Sequence, residues 1–303
     1  VRLDNDRPVE QQTPAPDFFS VLSFGVLCGL GIMSFLFSPL AMLWAHTRLI
    51  EPWPKLAAVI GAVVAIAVFN QSPAVVVLSF VYGLVCADTI TRGIARPIGF
   101  LRVIAVGMTI TTLVIVFLAR MENLDPWAFW VRQVSDTVDA LAIQWQASSP
   151  EPMDWNAWKQ VFIHEGPFQY IALLLLTFWF AVGAGAHFGW TESPNPWSAN
   201  NLKAMPLLKS ASFVFLGLFV VVAFRIIPGL GGLLGIGRAW MFVQGSVVLS
   251  RWLGLRNLTR PQKTLAYCLG IFPGFYALIG LGVIGPWITG SWFKFRSGLK
   301  EKT

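Results

Sequence analysis

IGFLRVIAVGMTITTLVIVFLA (98–119) decides the fold class, because in these twenty-two residues Arg102 is the only charge. As a helix the stretch would run roughly 33 Å, enough to cross a hydrocarbon layer about 30 Å thick. Comparable apolar blocks lie at approximately 18–45, 54–69, 72–90, 167–188, 207–227, 238–255 and 264–290. Over all 303 residues, 55% are hydrophobic, 14% aromatic and 12% charged, against roughly 25% charged in a soluble domain. That excludes a soluble enzyme. The expected fold is all-α: a polytopic transmembrane bundle of about eight transmembrane helices, with broken or re-entrant first and last segments and an exterior amphipathic helix.

Two blocks are too long for one plain crossing. The first, FFSVLSFGVLCGLGIMSFLFSPLAMLW, can be one tilted helix or can break near Ser38 and Pro39. The last, TLAYCLGIFPGFYALIGLGVIGPWITG, carries Pro273-Gly274 and Gly285-Pro286 and can be a kinked helix or a tight hairpin. Charge placement favours the broken form of both. Lys and Arg collect in loops on the cytoplasmic side, and here they fall at Arg92, Arg96 and Arg102 and at Arg251, Arg256, Arg260 and Lys263. With both end blocks broken, both termini join that side, including the basic tail with Lys294, Arg296, Lys300 and Lys302. The excess of bases therefore reports membrane orientation, and no nucleic-acid partner is expected.

Residues 121–166 have the opposite character, with seven acids (Glu122, Asp125, Asp136, Asp139, Glu151, Asp154, Glu165) against Arg132 and Lys159. This loop is expected outside. Within it Trp127, Trp130, Val131, Val134, Val138, Leu141 and Trp145 recur at three- and four-residue spacing, an amphipathic helix opened by Asp125-Pro126. Its tryptophans suit either an interfacial surface or a lid over a cavity. The chain thus divides into a polar tail (1–17), an N-terminal transmembrane region (18–119), the exterior Trp-rich loop (120–166), a C-terminal transmembrane region (167–290) and a basic cytoplasmic tail (291–303).

Polar residues inside apolar blocks are few, and each is a functional candidate by default. Gln244 is the clearest, in RAWMFVQGSVVLSRW beside Gly245, where another backbone can approach. It serves either ligand recognition or an interhelical hydrogen bond. Arg225 and Arg238 flank IIPGLGGLLGIG and can hold an anionic group or snorkel to the interface. That glycine run lacks the GxxxxGK[ST] spacing of a phosphate loop. Small-xxx-small pairs at Gly25/Gly29, Gly185/Gly189 and Gly270/Gly274 mark close helix packing. Cys28, Cys86 and Cys268 have no metal-ligand spacing, His46, His164 and His187 are scattered, and no HExxH or GxSxG occurs. No catalytic residue, metal or cofactor is expected.

From MFVQGSVVLSRWLGL (241–255), through a basic linker, to LAYCLGIFPGFYALIGLGVIGPWITGSWFKFRSGLK (265–300), the chain resembles the YybS-like family of bacterial membrane proteins. The carrying features are Phe242, Val243, Gln244 and Gly245, then Trp292, Phe293, Lys294, Phe295 and Arg296; Gly290-Ser291 stands where the family often has an acid. FSPLAMLWAHTR and GLVCADTITRGIARP extend the likeness into the N-terminal half. The resemblance implies a bacterial inner-membrane, multi-pass protein whose layout is similar to the substrate-binding components of energy-coupling-factor importers, which capture vitamins or metal ions and dock on a shared ATPase module. Two functions follow as expectations: a small-molecule-binding transport component, or a non-catalytic scaffold of a larger envelope complex. Expected partners are membrane lipid and other membrane proteins, an ATPase module or an envelope assembly, with homo-oligomerisation possible.

Overall fold

The structure is a computed structural model. It describes residues 18–300 apart from 34, 36, 50–51, 69, 71, 149–152, 192–193, 225–229, 255–257 and 272–273. At positions 18, 32–33, 147–148, 260, 270–271 and from 289 onward only the backbone path is described. Among the described residues all regular structure is helical: α1 (Phe18–Met33), α2 (Ser38–Arg48), α3 (Trp53–Ala67), α4 (Pro73–Thr91), α5 (Arg96–Met121), α6 (Pro126–Ser148), α7 (Trp155–His187), α8 (Ala199–Lys203), α9 (Lys209–Ala223), α10 (Gly231–Gly254), α11 (Arg260–Ile271) and α12 (Phe275–Lys300). The chain is a membrane protein. α4, α5, α7 and α10 are long and apolar enough to cross a bilayer, and shorter apolar helices lie at Phe19–Gly31, Trp53–Ala67, Lys209–Ala223 and Phe275–Ile288.

Prolines set many of the boundaries. α2, α3, α4 and α5 each carry one in the first two positions, and α6 begins on Pro126, where the missing N–H costs nothing and the fixed φ suits a helix start. Gly93 and Gly189 take left-handed turns after α4 and α7, with φ of +64° and +71°.

Both overlong blocks are divided. α1 and α2 form an antiparallel hairpin, with Phe24 edge-on to Trp44 at 5.4 Å and Gly31 facing Ala41. α2 then follows the later halves of α4 and α7: Phe35 lies on Tyr82, Ser38 backs onto Gly83, Leu43 meets Gly185, and Trp44 stacks on Trp190. α1 therefore enters from the end where α4 and α7 finish and turns level with the middle of α4. α2 returns to the starting end, and α3 sets out beside α1 in the same direction, with Gly25 against Ile60 and Gly29 against Gly61 and Val64.

The last block repeats this design. α11 has 12 residues, about 18 Å and too short to cross. It rises along α10 in the opposite direction: Thr264 is hydrogen-bonded to His187 at the end of α7 (2.7 Å), Tyr267 meets Ser250, and the next helix opens with Phe275 stacked on Phe242 (5.0 Å). α12 then runs parallel to α10, with Gly245 on the Leu278 carbonyl, Gly282 on the Met241 carbonyl and Gly285 on Val248. The break falls between Ile271 and Phe275, whereas Gly285-Pro286 lies inside an unbroken helix.

The end to which both hairpins open is also the basic end. Here the α7–α9 connector is held by two arginines: Arg96 donates to the carbonyls of Pro196 (3.2 Å) and Asn201 (2.6 Å), and Arg251 to those of Lys203 (2.6 Å) and Met205. Asn195 donates to Ile90 O (2.7 Å), and fully buried Trp197 packs edge-on against Phe100 and Phe178. Asp88 pairs with Arg92 and, at 2.8 Å, with Arg102.

At the opposite end α6 folds back on α7. Asp125 caps α6 by accepting from the Trp127 N–H at 2.9 Å, and Asp154 caps α7 through the Ala157 N–H at 3.0 Å. Val134 and Val138 pack with Ile163, and Asp139 and Lys159 form an ion pair. The apolar face of α6 is thus partly used against α7, while Trp127 and Trp145 stay exposed at its two ends. α7 runs straight through the expected boundary at 166/167, with Pro167 inside it. The helix continues through Gly166-Pro167, and the Ile163 carbonyl that the proline leaves without an N–H accepts from the Trp130 indole instead.

Candidate functional site

Gln244 is buried at 1% exposure. Its amide is fully occupied by protein: Oε1 accepts from the Leu208 N–H at 2.6 Å, and Nε2 donates to Gly282 O at 3.4 Å and reaches Met241 Sδ at 3.6 Å. The Gly282 carbonyl is the one that Pro286, four residues on and lacking an N–H, leaves without a helical donor. Ser212 Oγ donates to the same carbonyl at 3.4 Å. Gln244 therefore ties α10 to the entry of α9 and repairs a gap in α12. Gly245 makes the close approach possible, since a Cβ there would collide with the Leu278 carbonyl.

Arg238 is exposed. It lies six residues before Gln244, about 9 Å along the axis and on a different face, so the structure does not bring these two together. Arg225 lies outside the described residues. The glycine run beside it is a packing groove: Gly231 receives the Glu165 carboxylate, Gly232 the Phe168 ring, Gly235 the Gln169 amide and Gly237 the Phe215 ring. The carboxylate lies at the start of α10, where the helix dipole favours negative charge.

The remaining packing candidates divide. Gly25 and Gly29 seat α3, and Gly185 seats Leu43, but Gly189 has open space where a Cβ would be and serves as a turn. Gly274 closes α11 by donating to Leu269 O at 3.0 Å; the surroundings of Gly270 lie outside the described residues. Trp130 is the one of the three exterior tryptophans that turns inward, donating its indole N–H to Ile163 O at 3.2 Å.

A polar cluster that the sequence reading passed over surrounds the tip of the first hairpin. Tyr82 is fully buried and its hydroxyl donates to Leu174 O (2.5 Å) and meets Thr177 Oγ1 (2.9 Å). Thr111 is hydrogen-bonded to the Tyr170 hydroxyl at 2.8 Å, and the Phe35 ring lies 4.8 Å from Tyr82 and 5.9 Å from Tyr170. Ser38 donates to Phe35 O at 3.2 Å. Ser79 is fully buried and its hydroxyl has no partner. Such hydroxyls leave hydropathy almost unchanged, so only the spacing of Ser79, Tyr82 and Cys86 on one face of α4 could have marked them.

Among the described residues no three His, Cys, Asp or Glu side chains gather as a metal site requires. No protein-family model, no curated protein and no solved structure matches the chain.

Proposed function

We propose that this protein is a small-molecule-binding component of a bacterial inner-membrane transport system, as its resemblance to the YybS-like family implies. The observation that carries the reading is the tip of the first hairpin, which turns beside the middle of α4 among Tyr82, Tyr170, Thr111, Thr177 and Ser79. Non-helical backbone at membrane depth is tolerated where protein covers it or where it lines a cavity, and transporters build substrate sites from interrupted helices. The basic end, with its clamped connector, supplies a cytoplasmic face on which an energising ATPase module can dock. The test is native mass spectrometry of the detergent-purified full chain, combined with thermal shift across vitamins and small metabolites. A retained solute or a stabilising one supports the reading, and the absence of both contradicts it.

A scaffold role is the second reading. It is favoured by Trp127 (52% exposed), Trp145 (40%) and Trp158 (46%) on the acidic α6–α7 hairpin, more large apolar surface than a water-facing element carries without a partner. Co-purification of a stoichiometric membrane protein through that hairpin, with no bound solute, would select it.

A further inference from the structure

The second hairpin covers only the inner part of the seam between α7 and α10. These two long helices run side by side in one direction, with Glu165 against Gly231, Gln169 against Gly235, and the Trp179 indole N–H donating to Ser246 Oγ at 2.6 Å. α11 bridges their inner ends, where Thr264 and Tyr267 meet His187 and Tyr267 is hydrogen-bonded to Ser250. α12 opens with Phe275 stacked on Phe242 at 5.0 Å and runs inward from there. One turn outward of Phe242, on the same face of α10, comes Arg238. Arg238 and Gln169 are both exposed on this outer stretch of the seam, which no described helix covers.

Arg238 stands at hydrocarbon depth. The α7–α10 register sets it level with Ala172, and Leu174, two residues on, packs on Gly107, midway along the apolar run 98–119. It also lies thirteen residues before Arg251 of the basic end, about 20 Å along the axis, in a hydrocarbon layer about 30 Å thick. A guanidinium at that depth is costly in lipid and calls for water or a partner of opposite charge. Among the described residues it has no ion pair and no hydrogen bond. Leaning outward along α10 brings it only to the level of Gln169, still within the seam. The nearest acid along the seam is Glu165, seven residues further out at the start of α10, about 10 Å away along the axis. The stretches 166–187 of α7, 231–254 of α10 and 275–288 of α12 contain no Asp or Glu. The remaining walls are apolar: Leu173 and Leu176 are half-buried on the Gln169 face of α7, and on that face Phe37 of the first hairpin meets Phe180 at 6.3 Å.

We propose that Arg238 binds the oxyanion of an amphipathic organic anion, whose apolar body lies on Leu173 and Leu176 and whose second polar contact is the Gln169 amide. The proposal rests on the transport reading above and names the charge of its solute. A guanidinium offers a planar fork that holds a carboxylate or phosphate through two parallel hydrogen bonds. Apolar walls with a few placed polar groups are the composition of small-molecule sites, and transporters build such sites beside interrupted helices near the bilayer midplane. The uncovered stretch lies towards the end opposite the basic one, so the solute enters from that side.

The test uses the full chain in detergent, with benzoate as probe and benzamide as its neutral control. Wild type should bind benzoate at least tenfold more tightly than benzamide. Arg238→Gln should weaken benzoate at least tenfold, leave benzamide unchanged and unfold at the wild-type temperature, and Arg238→Lys should fall between. A second protein carries Gln169→Cys with Cys28, Cys86 and Cys268 replaced by Ala. There a methanethiosulfonate bearing a sulfonate should react faster than one bearing an ammonium, benzoate should slow it, and adding Arg238→Gln should abolish the preference. Equal benzoate binding by wild type and Arg238→Gln, or faster reaction with the cationic reagent, overturns the site. An anionic lipid retained by wild type in native mass spectrometry, lost with Arg238→Gln and not displaced by benzoate, gives Arg238 to a headgroup and overturns the solute. Failure of benzoate to bind wild type also overturns the site. Binding of some other metabolite in that case leaves the transport reading standing, whereas no binding by any metabolite removes both.

Discussion

The indole N–H of Trp130 donates to the carbonyl of Ile163, the group that Pro167 leaves without a helical partner. A proline removes the donor that its i−4 carbonyl would have used, and a buried carbonyl without a donor is costly. α12 answers the same problem at Pro286, where Gln244 and Ser212 both donate to Gly282 O. In each of these helices a side chain from a neighbour replaces the missing N–H, so the helix passes through its proline and gains a fixed partner.

Trp130→Phe keeps the ring against Gly166 but loses the donor. It should lower stability by about 1–2 kcal/mol. In a Pro167→Ala background, where the helix supplies its own donor, the same change should cost less than half as much. Denaturant unfolding in detergent of the four proteins in this cycle measures the coupling.

Gln244→Leu removes the acceptor of the Leu208 N–H and one donor to Gly282 O. Stability should fall by about 1–3 kcal/mol, and binding of a solute retained at the first hairpin should be unchanged, because the Gln244 amide is bonded to Leu208, Met241 and Gly282 and not to that hairpin. Pro286→Ala should recover part of the loss. A Gln244→Leu protein of normal stability that no longer binds solute would return this residue to the ligand site.

Gly245→Val and Gly282→Val each put a side chain into the opposing helix backbone, at the Leu278 and Met241 carbonyls. Each should cost about 3 kcal/mol or more, at or above the upper range for overpacking. Gly280→Ala, on the same helix with nothing within 4 Å, should be neutral or stabilising by up to about 1 kcal/mol. Thermal unfolding of the three variants separates the contact glycines from the exposed one.

Arg96→Gln together with Arg251→Gln removes donors from four connector carbonyls. The double variant should be cut by protease between residues 188 and 208 at least tenfold faster than wild type, at sites mapped by mass spectrometry. Cleavage confined to the α6–α7 hairpin would show that the arginines do not hold the connector.

Local signals were legible in the sequence. Ser38-Pro39 marked the start of α2, Asp125-Pro126 the start of α6, and the Lys and Arg runs collect at one end of the bundle. Signals that depend on a distant partner were not. The glycines from 231 to 237 pack against Glu165, Phe168, Gln169 and Phe215, and nothing within the run names residues that far away. Gln244 stood out as polar, but its meaning lies in Leu208 and in a carbonyl exposed by Pro286. Ser79, Tyr82 and Thr177 passed unnoticed because a hydroxyl in an apolar block is compatible with any helix, and only the fold reveals that they gather at a turn.

The first hairpin, α1 against α2, underlies the transport reading. A single distance decides it: that between spin labels on Phe19→Cys and Arg48→Cys in the otherwise cysteine-free chain, reconstituted in a bilayer and measured by pulsed electron resonance. With α1 and α2 antiparallel, as the Phe24–Trp44 contact requires, the labels should lie within about 20 Å, roughly two helix diameters. A continuous helix from 18 to 48 would hold them about 44 Å apart, and that result would contradict the hairpin and everything built on its tip.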